Sequence, residues 1–395
     1  MARSQRLPEI AGAFLKLGSI SFGGPVAHLS YLRAEFVARR RWLTDDAYAD
    51  LVALCQFLPG PASSQVVFAL GMQRAGVLGG LLASTCFTLP SAVLMILFGY
   101  GVTFLGDLHH SGWLHGLKLA AVAVVAQAVW GMGKKLCPDL VRILLAMAAA
   151  AAVLWIPGSW GQIGVIAAGA IAGWLLYHRK IPATAAAEHG LARRHAWAAA
   201  SLFVFGALLL VLPAIAAMSG QKSVREFDGF YRAGSLVFGG GHVVLPLLRA
   251  EVVPPGWISD DAFLAGYGAA QAVPGPLFSF AAYLGTVIRG GSNAWLGGLW
   301  CLLAIFLPAW LLIGGALPFW HLLRGRTWMQ AALRGTNAAV VGVLLAALYN
   351  PVWKEGVTSL RDVAAVILAF ALLQFGRVAP WAVVLAMAAL GQFLI

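Results

Sequence analysis

The chain has 395 residues, 61% of them hydrophobic and 11% charged, with a formal net charge of +12 and a mean hydropathy of +0.82. Soluble domains carry roughly 25% charged residues, so a soluble fold is excluded, and the lack of period-2 alternation excludes a membrane barrel. The positive charge does not mark a nucleic-acid binder, because it sits in short clusters between apolar segments: Arg39-Arg40-Arg41, Lys134-Lys135, His178-Arg179-Lys180 and Arg193-Arg194. Cytoplasmic loops of multi-pass membrane proteins have this pattern. The expected fold class is an all-α polytopic membrane protein whose surface meets lipid.

In chain order, the N-terminal stretch MARSQRLPEIAGAFLK lacks the build of a signal peptide, so insertion is expected to use the spans themselves. Two interrupted segments follow, at 9–33 and 47–72, because the Gly-Gly-Pro at 23–25 and the Pro-Gly-Pro at 59–61 break any helix laid across them. Continuous spans are predicted at 76–105, 113–132, 139–156 and 160–177, then a basic linker and a linking span from Ala196 to Met218. The order then recurs, with interrupted segments at 226–249 and 261–286 and spans at 294–320, 328–349, 361–375 and 379–394. If the interrupted segments are re-entrant hairpins, nine spans result; if they are broken full spans, the count changes. Cys55, Cys86, Cys137 and Cys301 stand apart in apolar surroundings and read as reduced core residues, without disulfide or metal spacing. No cofactor is expected.

The recurrence is a duplication. GSISFGGPVAHLSYLRAE at 18–35 matches GSLVFGGGHVVLPLLRAE at 234–251, 216 positions on, and QFLPGPASS at 56–64 matches QAVPGPLFS at 271–279, 215 positions on. Trp42-Leu43-Thr44-Asp45-Asp46 likewise matches Trp257-Ile258-Ser259-Asp260-Asp261, and Pro90 matches Pro308. The expected organisation is a first repeat at 1–178, a linker with its own helix at 179–225, and a second repeat at 226–395. Basic VARRRW faces uncharged VVPPGW, whereas GDLHHSG, poor in Lys and Arg, faces HLLRGRT with Arg324 and Arg326. Opposite charge bias at equivalent loops, with one span between the copies, points to inverted repeats.

Broken helices persist in a membrane only where they are buried or line an aqueous cavity. Paired breaks at matching places in inverted halves point to the substrate site of a secondary transporter. The candidate binding residues are Ser21, Phe22, Gly23 and Gly24; Pro59, Gly60, Pro61, Ser63 and Ser64; Phe238, Gly239, Gly240, Gly241 and His242; and Pro274, Gly275, Pro276 and Ser279. Helices starting after each break aim free N–H groups and positive dipole ends at it, which suits an oxyanion. Lys118 and Arg334, 216 positions apart, add charge inside spans. The duplicated LRAE places Arg33 with Glu35 and Arg249 with Glu251, either as interfacial salt bridges or as gating and coupling groups. Asp45-Asp46 and Asp260-Asp261 are expected to cap the following helices. His28 and His242 read as packed or hydrogen-bonded, with proton coupling as the alternative. His109, His110 and His115 are spaced too loosely for a metal.

At SFGGP, LPGP, FGGGHVVLPLL and AVPGPLFSFAAYLG the sequence resembles the chromate ion transporter family, over essentially the whole chain. The resemblance implies a bacterial inner-membrane protein of the long, two-repeat form that exports chromate, with sulfate as the isosteric competitor. The family motifs fall on Phe22 to Pro25, Pro59 to Pro61, Phe238 to His242, Pro246 and Pro274 to Pro276; Ser84 stands where glycine is expected before FTLP, a matter of local packing. No Walker A motif or catalytic constellation occurs, so the expectation is secondary transport, with another oxyanion such as sulfate as the alternative cargo, and not an enzyme. The expected partners are a small oxyanion and lipid, with a homodimer left open and nucleic acid excluded.

Overall fold

The computed structural model describes residues 3–105, 112–156, 158–178, 195–320 and 326–392. His109, His110, Arg179, Lys180, Arg193, Arg194 and Arg324 lie outside the described residues. Regular structure among those described is entirely helical. The first half contains α1 (Arg3–Ile20), α2 (Gly24–Arg33), α3 (Asp45–Phe57), α4 (Ala62–Leu105), α5 (Gly112–Leu136), α6 (Leu140–Trp155) and α7 (Ser159–Tyr177), followed by α8 (His195–Ser219). The second contains α9 (Lys222–Ser235), α10 (Val244–Val252), α11 (Asp260–Ala272), α12 (Phe280–Arg289), α13 (Ala294–Ala316), α14 (Thr327–Ala347), α15 (Leu360–Gln374) and α16 (Pro380–Gly391).

The halves correspond element by element. Helix α4 is two limbs that reverse at Ala75 and Gly76, where the backbone leaves helical geometry. A Cβ on Gly71 would lie 2.3 Å from the Gly79 carbonyl oxygen, so the limbs touch backbone to backbone. In the second half the same hairpin is α12 and α13, which meet at Gly285 and Gly297.

The last helices of each half are exchanged. Helix α5 packs against α15 and α16 of the second half, and α14 packs against α6 and α7 of the first. Small residues make these crossings close: a Cβ on Gly116 would come within 2.0 Å of the Met387 carbonyl oxygen, and one on Gly335 within 2.0 Å of the Gly169 carbonyl oxygen. Gly169 and Met387 are 218 positions apart, so these contacts match Gly116 with Gly335 at an offset of 219. Lys118 therefore corresponds to Asn337 in space, not to Arg334.

Among the described residues six helices are long and apolar enough to cross a membrane, one of them α8, whose Phe203, Leu210 and Met218 are 75%, 79% and 87% exposed, as a lipid-facing helix requires. Helices α6, α15 and α16 have only 16, 15 and 12 residues, so length alone does not yield the nine expected spans. The caps also differ from expectation. Thr44 and Ser259 cap α3 and α11, their hydroxyls accepting from the N–H of Ala47 and Ala262, while the Asp pairs fall in the first turn. A hydroxyl on extended backbone reaches the third amide, leaving the carboxylates to the helix dipole and to arginines. Ser84 is a polar partner: its buried hydroxyl accepts from the Trp310 indole N–H at 2.9 Å.

Candidate functional site

Each break interrupts the chain where proline and glycine dictate. Helix α1 ends at Ile20 and α2 starts at Gly24; α3 ends at Phe57 and α4 starts at Ala62. Correspondingly α9 ends at Ser235 before a short turn at Gly241–Val243, and α11 ends at Ala272 before a turn at Leu277–Ser279. The four breaks are joined across the halves by a reciprocal pair of backbone hydrogen bonds. Gly60 N–H donates to the Val237 carbonyl at 2.7 Å, and Gly275 N–H donates to the Ser21 carbonyl at 2.9 Å. Gly60 and Gly275 hold φ of 118° and 102°, which only glycine adopts without strain, and that conformation aims each amide across the interface. A Cβ on Gly241 would sit 3.5 Å from Pro25, closing the ring of breaks on its other side.

Beside this junction lies a cavity of about 460 Å³. Of the residues singled out from sequence, Gly23, Gly60, Gly239, Gly240, Gly241 and His242 line it. The rest of its wall comes from Pro25 and Leu29 on α2, Cys55 and Gln56 on α3, Gln127 to Leu136 on α5, Asn337 on α14 and Gln374 on α15. No side chain caps the first turn of α2 or the turn at Gly241, although Pro25 lacks an amide hydrogen and Val243 N–H donates to the Gly240 carbonyl. Lys135 brings an ammonium in the last turn of α5. In sequence Lys134 and Lys135 read as a loop cluster; the one signal for a site there is their position at the end of a span whose polar face also carries Gln127.

Other candidates sit around the cavity and not in its wall. Ser21, Ser63, Ser64 and Ser279 are buried at 1%, 3%, 2% and 1% exposure, and Ser21 and Ser64 have no hydroxyl partner. His28 braces two breaks: its Nε2 lies 3.1 Å from the Ser21 carbonyl, which can only accept, so in the neutral ring Nδ1 accepts from the Ser63 hydroxyl at 3.4 Å. His242 meets the Tyr267 hydroxyl of α11 at 2.8 Å. Phe22 packs on Trp381 and Gly24 opens α2, while Pro59, Pro61, Phe238, Pro274 and Pro276 shape the breaks without lining the cavity.

The charged candidates lie elsewhere. Lys118 Nζ binds Asp261 Oδ1 at 2.9 Å, and Arg334 lies over the Tyr177 ring at 5.7 Å. Neither lines the cavity. The LRAE pairs do not form either, because residues two apart on a helix point in different directions. Arg33 instead pairs with Asp45 at 2.7 Å, and Arg249 holds Asp260 in a two-pronged bond at 2.6 and 2.9 Å. Glu35 is bound by Arg39 and Arg40, and Glu251 shares Arg232 with Asp228. His115 pairs with Asp362 at 2.7 Å.

The model of the family described as Chromate transporter matches residues 8–174 and 224–392. The chain belongs to that family. Among its relatives, the chromate transport protein of Pseudomonas aeruginosa is 30% identical over 344 residues, covering 85% of this chain and 79% of the relative. That of Cupriavidus metallidurans is 25% identical over 362 residues, covering 88% and 83%. The probable chromate transport protein of Synechococcus elongatus is 26% identical, covering 77% and 74%. No solved structure matches the chain. The two matched segments of this chromate transporter family member fall on its two halves, and its apolar helices make it a multi-pass membrane protein.

Proposed function

We propose that this protein is a secondary transporter that carries chromate out across the bacterial inner membrane, binding it in the cavity where the four helix breaks meet. The observation that carries this reading is the reciprocal Gly60–Val237 and Gly275–Ser21 bonding, which draws the breaks of both halves to one junction beside a 460 Å³ cavity. Uncapped helix starts each present roughly half a positive charge, and Lys135 adds a full one, a donor set suited to a tetrahedral dianion. His242 and Asn337 add polar atoms to the same wall.

Direction is supported by the charge beside the cavity. Its wall includes Lys135 at the end of α5, and Lys134-Lys135 is a basic pair of the kind that marks a cytoplasmic face. The offset between halves is 219 at Gly116 and Gly335 and 220 at the helix starts Leu140 and Leu360, and between these points the second half leaves helical geometry at Asn350. Lys135 then corresponds to Glu355. Lys134 and Lys135 together carry two positive charges where their counterparts Lys354 and Glu355 cancel, so an anion is drawn more strongly to the lysine pair. Export of a dianion is also favoured by an inside-negative potential, by about 2.3 kcal/mol per charge per 100 mV.

The test is radiolabelled chromate flux in proteoliposomes of the purified full chain, with sulfate, molybdate and phosphate as competitors. Chromate flux dependent on Gly60 and Lys135 is expected. Sulfate carried at equal or greater rate would make this a general oxyanion carrier, and no flux of any oxyanion would overturn the reading.

A further inference from the structure

The two hairpin arms that end in Pro-Gly-Pro are held differently. Helix α11 is buried from Phe263 to Ala270, packed on α5 and α16. Its approach to α5 is backbone-close: a Cβ on Gly268 would lie 2.4 Å from the Leu117 carbonyl oxygen. One residue further along α5, Lys118 reaches the first turn of α11 and binds Asp261 at 2.9 Å. Its side chain is 14% exposed and that of Asp261 31%, so the pair is partly shielded from screening.

Helix α3, the counterpart of α11, has α4 and α2 as its main neighbours. Ala53, which corresponds to Gly268, is exposed. The cavity lies between α3 and α14, with Gln56 on one wall and Asn337 on the other. The register set by Gly116 and Gly335 puts Asn337 at the position of Lys118. Closing α3 onto α14 as α11 closes onto α5 would bring Asp46, the counterpart of Asp261, to an amide instead of an ammonium. Among the described residues no ion pair involves Asp46.

We infer that Lys118 and Asp261 form a one-sided latch, positioning residues that hold the α11 arm shut and, for want of a matching pair on α3, set the resting transporter open on the α3 side. This rests on reading the cavity as the transport site, and its test uses no substrate. The reporters are Gln56→Cys on the α3 arm and its counterpart Gln271→Cys on the α11 arm, each introduced singly with Cys55, Cys86 and Cys137 replaced by alanine. Each is labelled by a charged maleimide in nanodiscs holding the full chain.

With the latch intact, the thiol at position 56 labels fast and the thiol at position 271 slowly. Lys118→Asn is expected to raise labelling at position 271 at least about fivefold and to slow it at position 56, as loss of a part-buried ion pair shifts a two-state balance. Asn337→Lys should slow labelling at position 56 by supplying the missing partner for Asp46. The charge swap Lys118→Asp with Asp261→Lys should restore the native pattern, which a merely structural role would not require. Labelling of the fully buried Cys301 controls for unfolding; a variant that exposes it is replaced by Asp261→Asn. Protection at position 271 unchanged in a folded Lys118→Asn or Asp261→Asn protein would overturn the latch. Because no chromate is present, failure of the latch is read in the labelling and failure of transport in the flux, and the two are told apart.

Discussion

Helices α3 and α11 have the same length, the same Asp-Asp first turn, the same hydroxyl cap and the same Pro-Gly-Pro exit, yet α11 is buried along most of its length and α3 is exposed on one side of it. Their local sequences therefore do not decide how they pack. The difference lies in what each meets: α11 meets Leu117 and Lys118 of α5, whereas α3 faces a cavity with Asn337 beyond it. On the proposed transport reading, an exchange of the two arms' roles is the second arrangement that alternating access needs.

The sharpest way to break this comparison is Gly268→Ala. The new Cβ meets a backbone carbonyl that cannot move aside, so a loss of about 2 kcal/mol of stability is expected, read as a fall in melting temperature by fluorescence-detected gel filtration. Ala53→Gly, at the matching place on the freer arm, should cost less than about 1 kcal/mol. Equal effects would mean that both arms are packed alike.

Next in size are the crossed glycines. Gly60→Ala and Gly275→Ala force a side chain into left-handed backbone, at a cost of about 1–2 kcal/mol each, and press on Gln65 Nε2 at 2.8 Å and Ser91 Oγ at 2.9 Å. Chromate flux should fall about tenfold in both variants at normal membrane insertion, since each bond ties one half to the other. A defect in only one of them would show that the junction is not reciprocal in function.

The lysine pair and its counterpart give a smaller contrast. Lys135→Gln should raise the KM for chromate about fivefold, the scale of one partly solvated charge contact, while Glu355→Gln leaves KM for loading from the α3 side unchanged. Flux measured from each side of oriented vesicles checks both. Smallest are the arginines of the duplicated LRAE. Arg249 binds Asp260 through two bonds with about a quarter of each side chain exposed, so Arg249→Gln should cost about 1 kcal/mol; Arg33 and Asp45 are 61% and 59% exposed, and Arg33→Gln should cost under about 0.5 kcal/mol after solvent screening. Thermal unfolding separates the two.

The break points were legible because their cause is local. Proline without an amide hydrogen and glycine at positive φ end a helix wherever they stand, so the ends of α1, α3, α9 and α11 follow from Pro-Gly-Pro and Phe-Gly-Gly. The partners of charged residues were not, because a side chain two residues away in sequence points to another face of the helix, and the real partners of Glu35, Glu251, Arg33 and Arg249 depend on how the chain turns back.

By itself the sequence determined an all-helical membrane protein, its duplication and the places where its helices stop, since hydropathy, repetition and backbone chemistry act over a few residues at a time. Tertiary structure alone decided which half each terminal helix joins, that Gly60 and Gly275 bond across the halves, that Lys135 and not Lys118 reaches the cavity, and that α11 is buried where α3 is partly exposed. Those outcomes depend on glycine-to-backbone approaches between helices two hundred residues apart, where a shift from 216 to 219 positions exchanges Arg334 for Asn337.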